Sequence, residues 1–300
     1  QAMKLLDVQY LPNPSGTALP MFFVKNKVTF FVLPGVPSEL RDIYIQSILP
    51  RINKKKFEKN ELILKFAGIS ESLLHEKLED ILGGYSDTVK TSFLPNFITI
   101  TLRLINTSKD KDTLKEIKEK VLSRLEESYL GEGDTSLESV VLKMLVSKKL
   151  TLSLAESCTG GYISKLITDC PGSSKVFKGG IVAYSNEIKT KELNISNKML
   201  EKYGVVSLEV AEQMSQNVAK KLNTDIGLSV TGISGPGGGT ELKPVGLVYV
   251  SITYLNKIFT KKFKFSSNRN THRLITAFTA LNMLRLTLLN KIDFSNKKNN

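Results

Sequence analysis

Alternating apolar and polar positions predict a β-hairpin near the start of the chain, with strands at Met21 to Val24 and Val28 to Leu33. Ser38 is placed to cap a helix that runs from Glu39 to about Ile52. Two strands and one helix bury too little surface to be stable alone. We therefore interpret residues 1–52 as the C-terminal part of a larger domain.

The next segment, residues 53–131, has the pattern of a small α+β module. Its predicted strands are Glu61 to Phe66 and Phe97 to Ile105, and its predicted helices are Ser70 to Leu82 and Lys111 to Tyr129. The polar, glycine-bearing stretch from Gly131 to Thr135 predicts a domain boundary.

The third segment, residues 136–290, alternates between strand and helix patterns. The predicted strands are Thr151 to Ala155, Gly180 to Tyr184, Asp225 to Thr231, Gly246 to Tyr254 and Ile258 to Phe265; the predicted helices are Leu137 to Lys148, Gly161 to Asp169, Leu208 to Leu222 and Arg269 to Leu289. This alternation predicts an α/β layered sheet. Sites in such sheets lie where strands end and helices begin. The expected fold class is thus multidomain α/β, with the layered-sheet domain at the C-terminal end.

Composition narrows the function classes. The net charge is +13, but the lysines are scattered and lack interleaved aromatic residues that could stack on bases, so nucleic acid is not the expected partner. Two cysteines are too few for a disulfide scaffold. The chain has no apolar run of about 18 residues, and Gln1 to Asp7 do not resemble a signal peptide, so we expect a cytoplasmic protein without a membrane segment.

The first turn with candidate chemistry runs from Ala155 to Gly161, between an apolar strand and an amphipathic helix. Ser157 is the candidate nucleophile. The backbone N–H groups of Thr159, Gly160 and Gly161 are expected to be unpaired and to form an oxyanion site. In the alternative interpretation, Ser157 or Thr159 only caps the helix.

A nucleophilic serine needs a base, and the chain has only two histidines, His75 and His272. A Ser-His-Asp triad is therefore poorly supplied. The turn from Ala183 to Lys189 offers Tyr184 and Lys189 instead. A lysine base requires a pKa lowered by about three units from ~10.4, which burial can supply. The alternative is that Lys189 is an ordinary solvated lysine.

The third turn, Thr231 to Thr240, is rich in glycine, and successive side-chain-free N–H groups can bind a phosphate. It matches neither the dinucleotide fingerprint nor the P-loop, and a flexible connection is the alternative. Its candidate substrate-binding residues are Thr231, Gly232 and Gly235.

Arg269 and Arg273 lie one helical turn apart at the start of the last helix and are candidates for gripping an anion together. The alternative is a solvent-facing pair. Cys158 is a rival nucleophile without an evident base. No set of residues with metal-ligand spacing occurs in the third segment, and no metal or other cofactor is expected.

Together, several separated motifs resemble the C-terminal domain of the CinA family over residues 136–290. They are Ala-Glu-Ser-Cys-Thr-Gly-Gly (155–161), Tyr-Ser-Asn-Glu (184–187) with Lys189, Tyr-Gly-Val-Val-Ser (203–207), Thr-Gly-Ile-Ser-Gly-Pro (231–236) and Lys-Pro-Val-Gly (243–246). The resemblance implies deamidation of nicotinamide mononucleotide to nicotinate mononucleotide and ammonia, in pyridine nucleotide salvage. It implies Ser157 as nucleophile, Lys189 as base, Tyr184 as transition-state partner, and Thr231 and Arg269 as substrate contacts. A homo-oligomer is also expected.

The front of the chain is similar to the same family. Leu11 to Thr17 and Leu33 to Glu39 resemble the end of its molybdopterin-binding-like domain, and residues 61–130 resemble its KH-like linker domain. Two alternatives follow: a nucleotide (ADP-ribose) pyrophosphatase acting through the first domain, or a competence-related nucleic-acid-binding protein. The first lacks the opening part of its domain. The second lacks the Gly-x-x-Gly clamp, since Gly83 and Gly84 are adjacent.

Overall fold

A computed structural model describes residues 8–52, 60–108, 110 and 112–292. The chain divides into two compact units, one up to residue 59 and one from residue 60 onward. Among the described residues, no helix combines the length and apolar character needed to cross a membrane.

The first unit is a three-stranded antiparallel sheet followed by a helical segment. Its elements are β1 (Gln9–Tyr10), β2 (Met21–Lys25), β3 (Val28–Val32), α1 (Pro37–Ile43), a π-helical turn (Tyr44–Ile48) and α2 (Leu49–Ile52). The β2–β3 pairing confirms the predicted hairpin. Its small core contains Leu11, Ile43 and Ile48.

The predicted helix start in this unit was wrong. The helix begins at Pro37, its N-cap is Val36, and no side chain caps it, so Ser38 lies inside the first turn. Proline at this position has a backbone angle already suited to a helix and no N–H group to satisfy. The helix therefore starts without a serine cap.

The second unit begins with a β-α-β-β-α-β module. Its elements are β4 (Glu61–Ala67), α3 (Glu71–Gly83), β5 (Val89–Asn96), β6 (Thr99–Asn106), α4 (Thr113–Leu125) and β7 (Tyr129–Glu132). The four strands form an antiparallel sheet in the order β5-β6-β4-β7, the ferredoxin-like split arrangement. Leu64, Phe66, Leu74 and Ile117 are among its fully buried core residues.

Two strands of this module, β5 and β7, were not predicted from the sequence. β5 is an edge strand with mostly exposed residues and a proline at Pro95, so it lacks apolar alternation. The second helix ends at Leu125 rather than Tyr129, and its predicted first residue, Lys111, lies outside the described residues. Gly131, the first residue of the predicted domain boundary, lies in β7 and pairs with Lys65 of β4.

The rest of the unit is a layered α/β domain. Its elements are α5 (Leu137–Lys148), β8 (Leu152–Glu156), α6 (Tyr162–Thr168), β9 (Phe177–Val182), α7 (Asn186–Leu193), α8 (Asn197–Tyr203), α9 (Leu208–Leu222), β10 (Ile226–Gly232), β11 (Leu247–Tyr254), β12 (Lys257–Lys264) and α10 (Arg269–Leu288). The sheet order is β12-β11-β10-β8-β9. Strands β9, β8 and β10 are parallel, and β11 and β12 are antiparallel to their neighbours.

Helices cover both faces of this sheet, as predicted for a layered α/β domain. Apolar residues of α5, α6 and α10 form one core with β8, β10 and β11. Residues of α7, α8 and α9 form a second core on the other face. Helices α7 and α8 were not predicted as elements, because each is only two turns long and carries few apolar residues.

The carboxyl ends of the three parallel strands β9, β8 and β10 lie side by side at the same end of the sheet. Glu156 is in register with Val182 on one side and with Val230 on the other. The residues that follow these strands therefore come together, which is where the candidate chemistry of the sequence is concentrated.

Candidate active site

Ser157 directly follows β8, a central strand whose five residues are all buried. Its backbone N–H donates to the carbonyl of Val230 at 3.0 Å, which extends the pairing with β10 by one residue. The Ser157 side chain is largely buried, with 8% of the residue exposed. The nucleophile candidate is thus held by the sheet itself rather than by a free loop.

Glu156, the last residue of β8, holds the turn that follows Ser157. Its buried carboxylate accepts hydrogen bonds from the N–H groups of Gly161, Ile163 and Ser164 at 3.0, 3.1 and 2.8 Å, and from the Ser164 hydroxyl at 2.7 Å. It therefore satisfies the free N–H groups at the start of α6, as a capping residue does. We did not identify this role in the sequence, where Glu156 appeared only as part of the motif.

These contacts correct the predicted oxyanion site. The Gly161 N–H is bound to Glu156, and the Gly160 N–H donates to the carbonyl of Ser157 at 3.1 Å. Gly160 has a φ angle of 59° and Gly161 a φ angle of 90°, a backbone conformation that glycine adopts easily, so the two glycines shape the turn. Within the described residues, the amides of Cys158 and Thr159 have no backbone acceptor, which leaves them as the candidate donors.

Lys189 lies on α7 and is almost fully buried, with 2% of the residue exposed. Ser185 caps this helix by accepting from the Ile188 N–H at 3.2 Å. The Lys189 Nζ lies 3.1 Å from the Ser157 Oγ, 2.6 Å from the carbonyl oxygen of Ala183 and 3.4 Å from that of Tyr184. The structure therefore brings the predicted nucleophile and the predicted base together.

The three oxygens around Nζ define what each protonation state can do. A charged ammonium has three N–H donors, one for each oxygen. A neutral amine has two N–H donors and a lone pair, and carbonyl oxygens can only accept. The carbonyls of Ala183 and Tyr184 therefore take the two N–H groups, and the lone pair faces the Ser157 hydroxyl.

Burial lowers the pKa of Lys189 from its ordinary value to about 8. This is the direction that a lysine base requires, and the shift is somewhat smaller than the three units expected from the sequence. With a pKa of about 8, roughly a tenth of the Lys189 side chains are neutral at pH 7 and about half at pH 8.

A cavity of about 240 Å³ opens onto Ser157 and Lys189. Of the residues that the sequence singled out, eight line it: Ser157, Cys158, Tyr184, Lys189, Thr231, Gly232, Gly235 and Arg269. Four others lie outside its lining: Thr159, Gly160, Gly161 and Arg273. Thr159 is fully buried, so only its backbone N–H, the group considered in the sequence analysis, stays a candidate for contact with a substrate.

Arg269 joins two walls of the cavity. Its Nη2 donates to the Tyr184 hydroxyl at 2.7 Å, and its Nη1 donates to the carbonyl of Gly235 at 2.8 Å. Tyr184 is 59% exposed, so its ring is available at the cavity mouth. The guanidinium is therefore the cationic group of the cavity mouth.

Arg273 has a different position and does not form a grip with Arg269. Its Nη2 donates to the carbonyl of Thr159 at 2.8 Å, and a Cβ atom added to Gly160 would lie 3.1 Å from it. Arg269 lines the cavity and Arg273 does not, so the cavity does not support the predicted joint grip on an anion. Arg273 therefore ties α10 to the turn after Ser157.

The glycine-rich segment closes as a defined loop. The Ile233 N–H donates to the carbonyl of Leu247, and the Gly246 N–H donates to the carbonyl of Ile233, both at 2.8 Å. Lys243 Nζ donates to the carbonyl of Tyr203 at 2.6 Å, at the end of α8. These contacts oppose the alternative of a flexible connection. Phosphate binding by the loop stays a prediction.

Thr231 ends β10 beside this loop. Its hydroxyl donates to the carbonyl of Val205 at 2.9 Å, which ties the strand to the segment after α8. Because Thr231 lines the cavity while its hydroxyl is already bound, a substrate contact through this residue stays a prediction.

His272 and Ser234 form a pair that the sequence did not indicate. His272 is fully buried; its Nδ1 lies 2.9 Å from the Ser234 Oγ, and its Nε2 lies 3.1 Å from the carbonyl oxygen of Gly246. Burial lowers its pKa. His272 thus connects both ends of the glycine-rich loop, and the three-residue spacing from Arg269 on α10 is the signal that could have suggested it.

The remaining candidates do not enter the chemistry. Burial raises the pKa of the Cys158 thiol to about 12, so it is not a thiolate near neutral pH. His75 packs against Phe93 in the antiparallel module, with ring centroids 5.3 Å apart. Across the described part of the chain, no group of three or more His, Cys, Asp and Glu side chains is arranged to hold a metal ion.

Two family models match the chain. The CinA C-terminal domain matches residues 134–288, and the KH domain of the damage-inducible protein CinA matches residues 62–131. The first match contains the complete cavity described above.

Curated relatives match almost the whole chain. A putative competence-damage inducible protein of Alkaliphilus metalliredigens is 40% identical over 296 residues, covering 96% of this chain and 71% of the relative. A CinA-like protein of Dictyoglomus thermophilum is 39% identical over 296 residues, covering 97% and 72%. Among solved structures, the competence damage-inducible protein A (ComA) of Klebsiella pneumoniae is 27% identical with a TM-score of 0.50, over 51% of this chain and 95% of that one.

Proposed function

Because the chain belongs to the CinA family of competence-damage inducible proteins, we propose that its C-terminal domain is a serine amidohydrolase acting on nicotinamide mononucleotide. The reaction yields nicotinate mononucleotide and ammonia. The observation that carries the proposal is the 3.1 Å contact between the Lys189 Nζ and the Ser157 Oγ inside a cavity.

The first half-reaction uses Lys189 as the base. Its neutral amine takes the proton of the Ser157 hydroxyl while the Ser157 Oγ attacks the carboxamide carbon. The resulting oxyanion is stabilised by the N–H group of Cys158, a residue that lines the cavity. Lys189 then returns the proton to the departing nitrogen, ammonia leaves, and an ester between Ser157 and the nicotinate carbonyl remains.

The second half-reaction repeats these roles with water. Lys189, neutral again, takes a proton from a water molecule, and the oxygen of that water attacks the ester carbon. The Ser157 Oγ leaves and recovers a proton from Lys189. The product is a carboxylic acid, which ionises at neutral pH, and the enzyme returns to its starting state.

Three features of the cavity mouth support a nucleotide substrate with an anionic phosphate. The guanidinium of Arg269 is fixed there by Tyr184 and Gly235. The exposed ring of Tyr184 can stack on a pyridine ring. Gly237 and Gly238 line the same cavity without side chains, so a phosphate can approach their backbone closely.

The direct experiment measures ammonia release from nicotinamide mononucleotide by the purified chain at pH 8. We expect activity that falls by about 10²- to 10⁴-fold in Ser157→Ala and Lys189→Ala. Lys165→Ala is the matched control, because Lys165 is an exposed lysine of α6 paired with Asp169. An enzyme that retains activity without Ser157, or a folded wild-type chain that releases no ammonia, would contradict the proposal.

A further inference from the structure

Ser234 is the one side chain of the cavity lining that is hydrogen-bonded to a histidine among the described residues. Its hydroxyl is nearly buried, with 5% of the residue exposed, and its partner His272 is fully buried on α10. The polarity of this wall therefore depends on where the His272 imidazole carries its proton.

The surroundings of His272 determine that position. A carbonyl oxygen has no hydrogen and only accepts, so the contact between Nε2 and the Gly246 carbonyl requires a hydrogen on Nε2. In the neutral imidazole, Nδ1 then carries a lone pair. The hydrogen bond between Nδ1 and Ser234 therefore requires the Ser234 hydroxyl to donate its proton to Nδ1.

Neutral imidazole is the state that this environment favours. His272 has no exposed surface, and desolvation lowers its pKa below the ordinary value. Arg269, which lies one helical turn away, also opposes a second positive charge on α10. The Cys158 thiol lies within hydrogen-bonding range of Ser234, but burial raises its pKa to about 12, so no thiolate competes for the Ser234 proton.

We propose that His272 makes Ser234 a hydrogen-bond acceptor towards the cavity, so that the site binds a carboxamide –NH₂ group and disfavours the carboxylate product. With its only proton held by Nδ1, the Ser234 Oγ has lone pairs but no proton to offer, in a residue that lines the same cavity as Ser157 and Lys189. A carboxamide offers N–H donors to these lone pairs. A carboxylate offers only oxygens, which the same lone pairs repel.

The inference rests on the proposed function, since it concerns the carboxamide substrate and carboxylate product of that reaction. It assigns to Ser234 and His272 a role separate from the bond-breaking steps. Ser234 discriminates substrate from product, and His272 is a positioning residue that acts through Ser234. The consequence is faster product release and weak inhibition by nicotinate mononucleotide.

The binding experiment uses the full chain with Ser157→Ala, which prevents turnover. Calorimetry gives the Kd values of nicotinamide mononucleotide and nicotinate mononucleotide, and the ratio of the acid Kd to the amide Kd is the readout. We expect this ratio to be above one in the Ser157→Ala protein. Adding Ser234→Ala or His272→Phe should lower it by about 3- to 10-fold, the effect expected from the loss of one hydrogen bond.

The two added variants give different signatures. Ser234→Ala removes the acceptor and weakens binding of the amide. His272→Phe frees the Ser234 proton, so it strengthens binding of the acid. Ser229→Ala is the matched control, because this buried serine of β10 donates to the carbonyl of Ala211. It should leave the ratio unchanged, and thermal melts of all variants establish that the proteins are folded.

A second measurement tests the inference independently of any ligand. The chain has only two histidines, so ¹⁵N NMR of the imidazoles is readily assigned by comparison with His75→Gln. We expect His272 to be neutral at pH 7.5 with its hydrogen on Nε2. A hydrogen on Nδ1, or a charged ring, would overturn the inference.

The outcomes separate the two proposals. If both nucleotides bind and the ratio is unchanged in both variants, the role of Ser234 and His272 is refuted while the proposed function stands. If neither nucleotide binds the folded Ser157→Ala protein, the proposed substrate is refuted, and the inference with it. A shift of the ratio with hydrogen on Nε2 supports both.

Discussion

The amine of Lys189 lies 3.1 Å from the hydroxyl of Ser157, although 32 positions separate the two residues in the chain. Two carbonyl oxygens beside the amine fix its orientation, and burial brings its pKa to about 8. The protonation state of one side chain therefore controls the reactivity of the other.

This relationship predicts a rate that rises with pH. Because the base is the neutral amine, kcat/KM should increase about tenfold per unit below pH 8 and level off above it. Initial rates of ammonia release between pH 6 and 9.5 measure this profile. A flat profile over this range would contradict the role of Lys189 as the base.

The same shift predicts how stability depends on pH. Lys189 titrates near 8 in the folded chain and near 10.5 in the unfolded chain, so the unfolded state binds more protons between these values. Its contribution to the free energy of unfolding should therefore rise between pH 8 and pH 10.5, by roughly 3 kcal/mol in total. The contribution is constant below pH 8.

Urea denaturation of the wild type and of Lys189→Met at several pH values measures the contribution of Lys189 to the free energy of unfolding. The stability difference, wild type minus variant, should increase from pH 8 to pH 10. A difference that stays constant would show that the amine keeps its ordinary pKa in the folded protein.

Glu156→Gln should destabilise the domain and slow the reaction. The carboxylate accepts three backbone N–H groups and one hydroxyl, whereas an amide presents its own N–H donors to some of these groups. We expect a loss of about 2 kcal/mol in the free energy of unfolding, because buried donors lose their acceptor. Chemical denaturation measures it, with Glu187→Gln, in the exposed first turn of α7, as the control.

The two arginines of α10 should differ in their kinetic effects. Arg269→Lys loses the planar contact with Tyr184 and Gly235 at the cavity mouth, so we expect KM to rise by about tenfold with little change in kcat. Arg273→Lys loosens the turn after Ser157 and should lower kcat and the melting temperature. Steady-state kinetics on both variants checks this, and matching effects would refute the assignment.

Alkylation should distinguish the two cysteines. Cys158 is buried with a pKa raised to about 12, whereas Cys170 is only partly buried. In the native protein at pH 8, iodoacetamide should modify Cys170 slowly and leave Cys158 unmodified. Peptide mass spectrometry before and after denaturation shows the difference, and rapid native labelling of Cys158 would contradict its burial.

Most candidate residues were predictable from the sequence because they directly follow strands that are marked by clear runs of apolar residues. β8 is mostly apolar before Glu156, and the chain then continues through Ser157 to the glycine pair Gly160–Gly161, so a strand, a turn and a helix were readable in order. The contact of Ser157 with Lys189 was not readable. It depends on the register of β9 beside β8, which is set by packing across the sheet.

Other parts of the site were missed for related reasons. Glu156 binds residues five to eight positions later, at a helix start whose geometry arises only after the turn folds. Arg273 was paired with Arg269 on helical spacing alone, but the carbonyl that it binds belongs to Thr159, 114 positions away. Long-range partners of this kind leave no local periodicity.

The N-terminal end of α10 binds the glycine-rich loop through Arg269 and His272 and the turn after Ser157 through Arg273, with the carbonyls of Gly235, Gly246 and Thr159 as the respective acceptors. The position of α10 thus sets the positions of the glycine-rich loop and of the turn after Ser157, which are distant from each other in sequence. To change the substrate range, the glycine-rich loop and the turn after Ser157 can be mutated separately, provided that these three side chains of α10 are kept. A change in the helix itself would shift both walls at once, and its effects on substrate choice and on turnover would be inseparable.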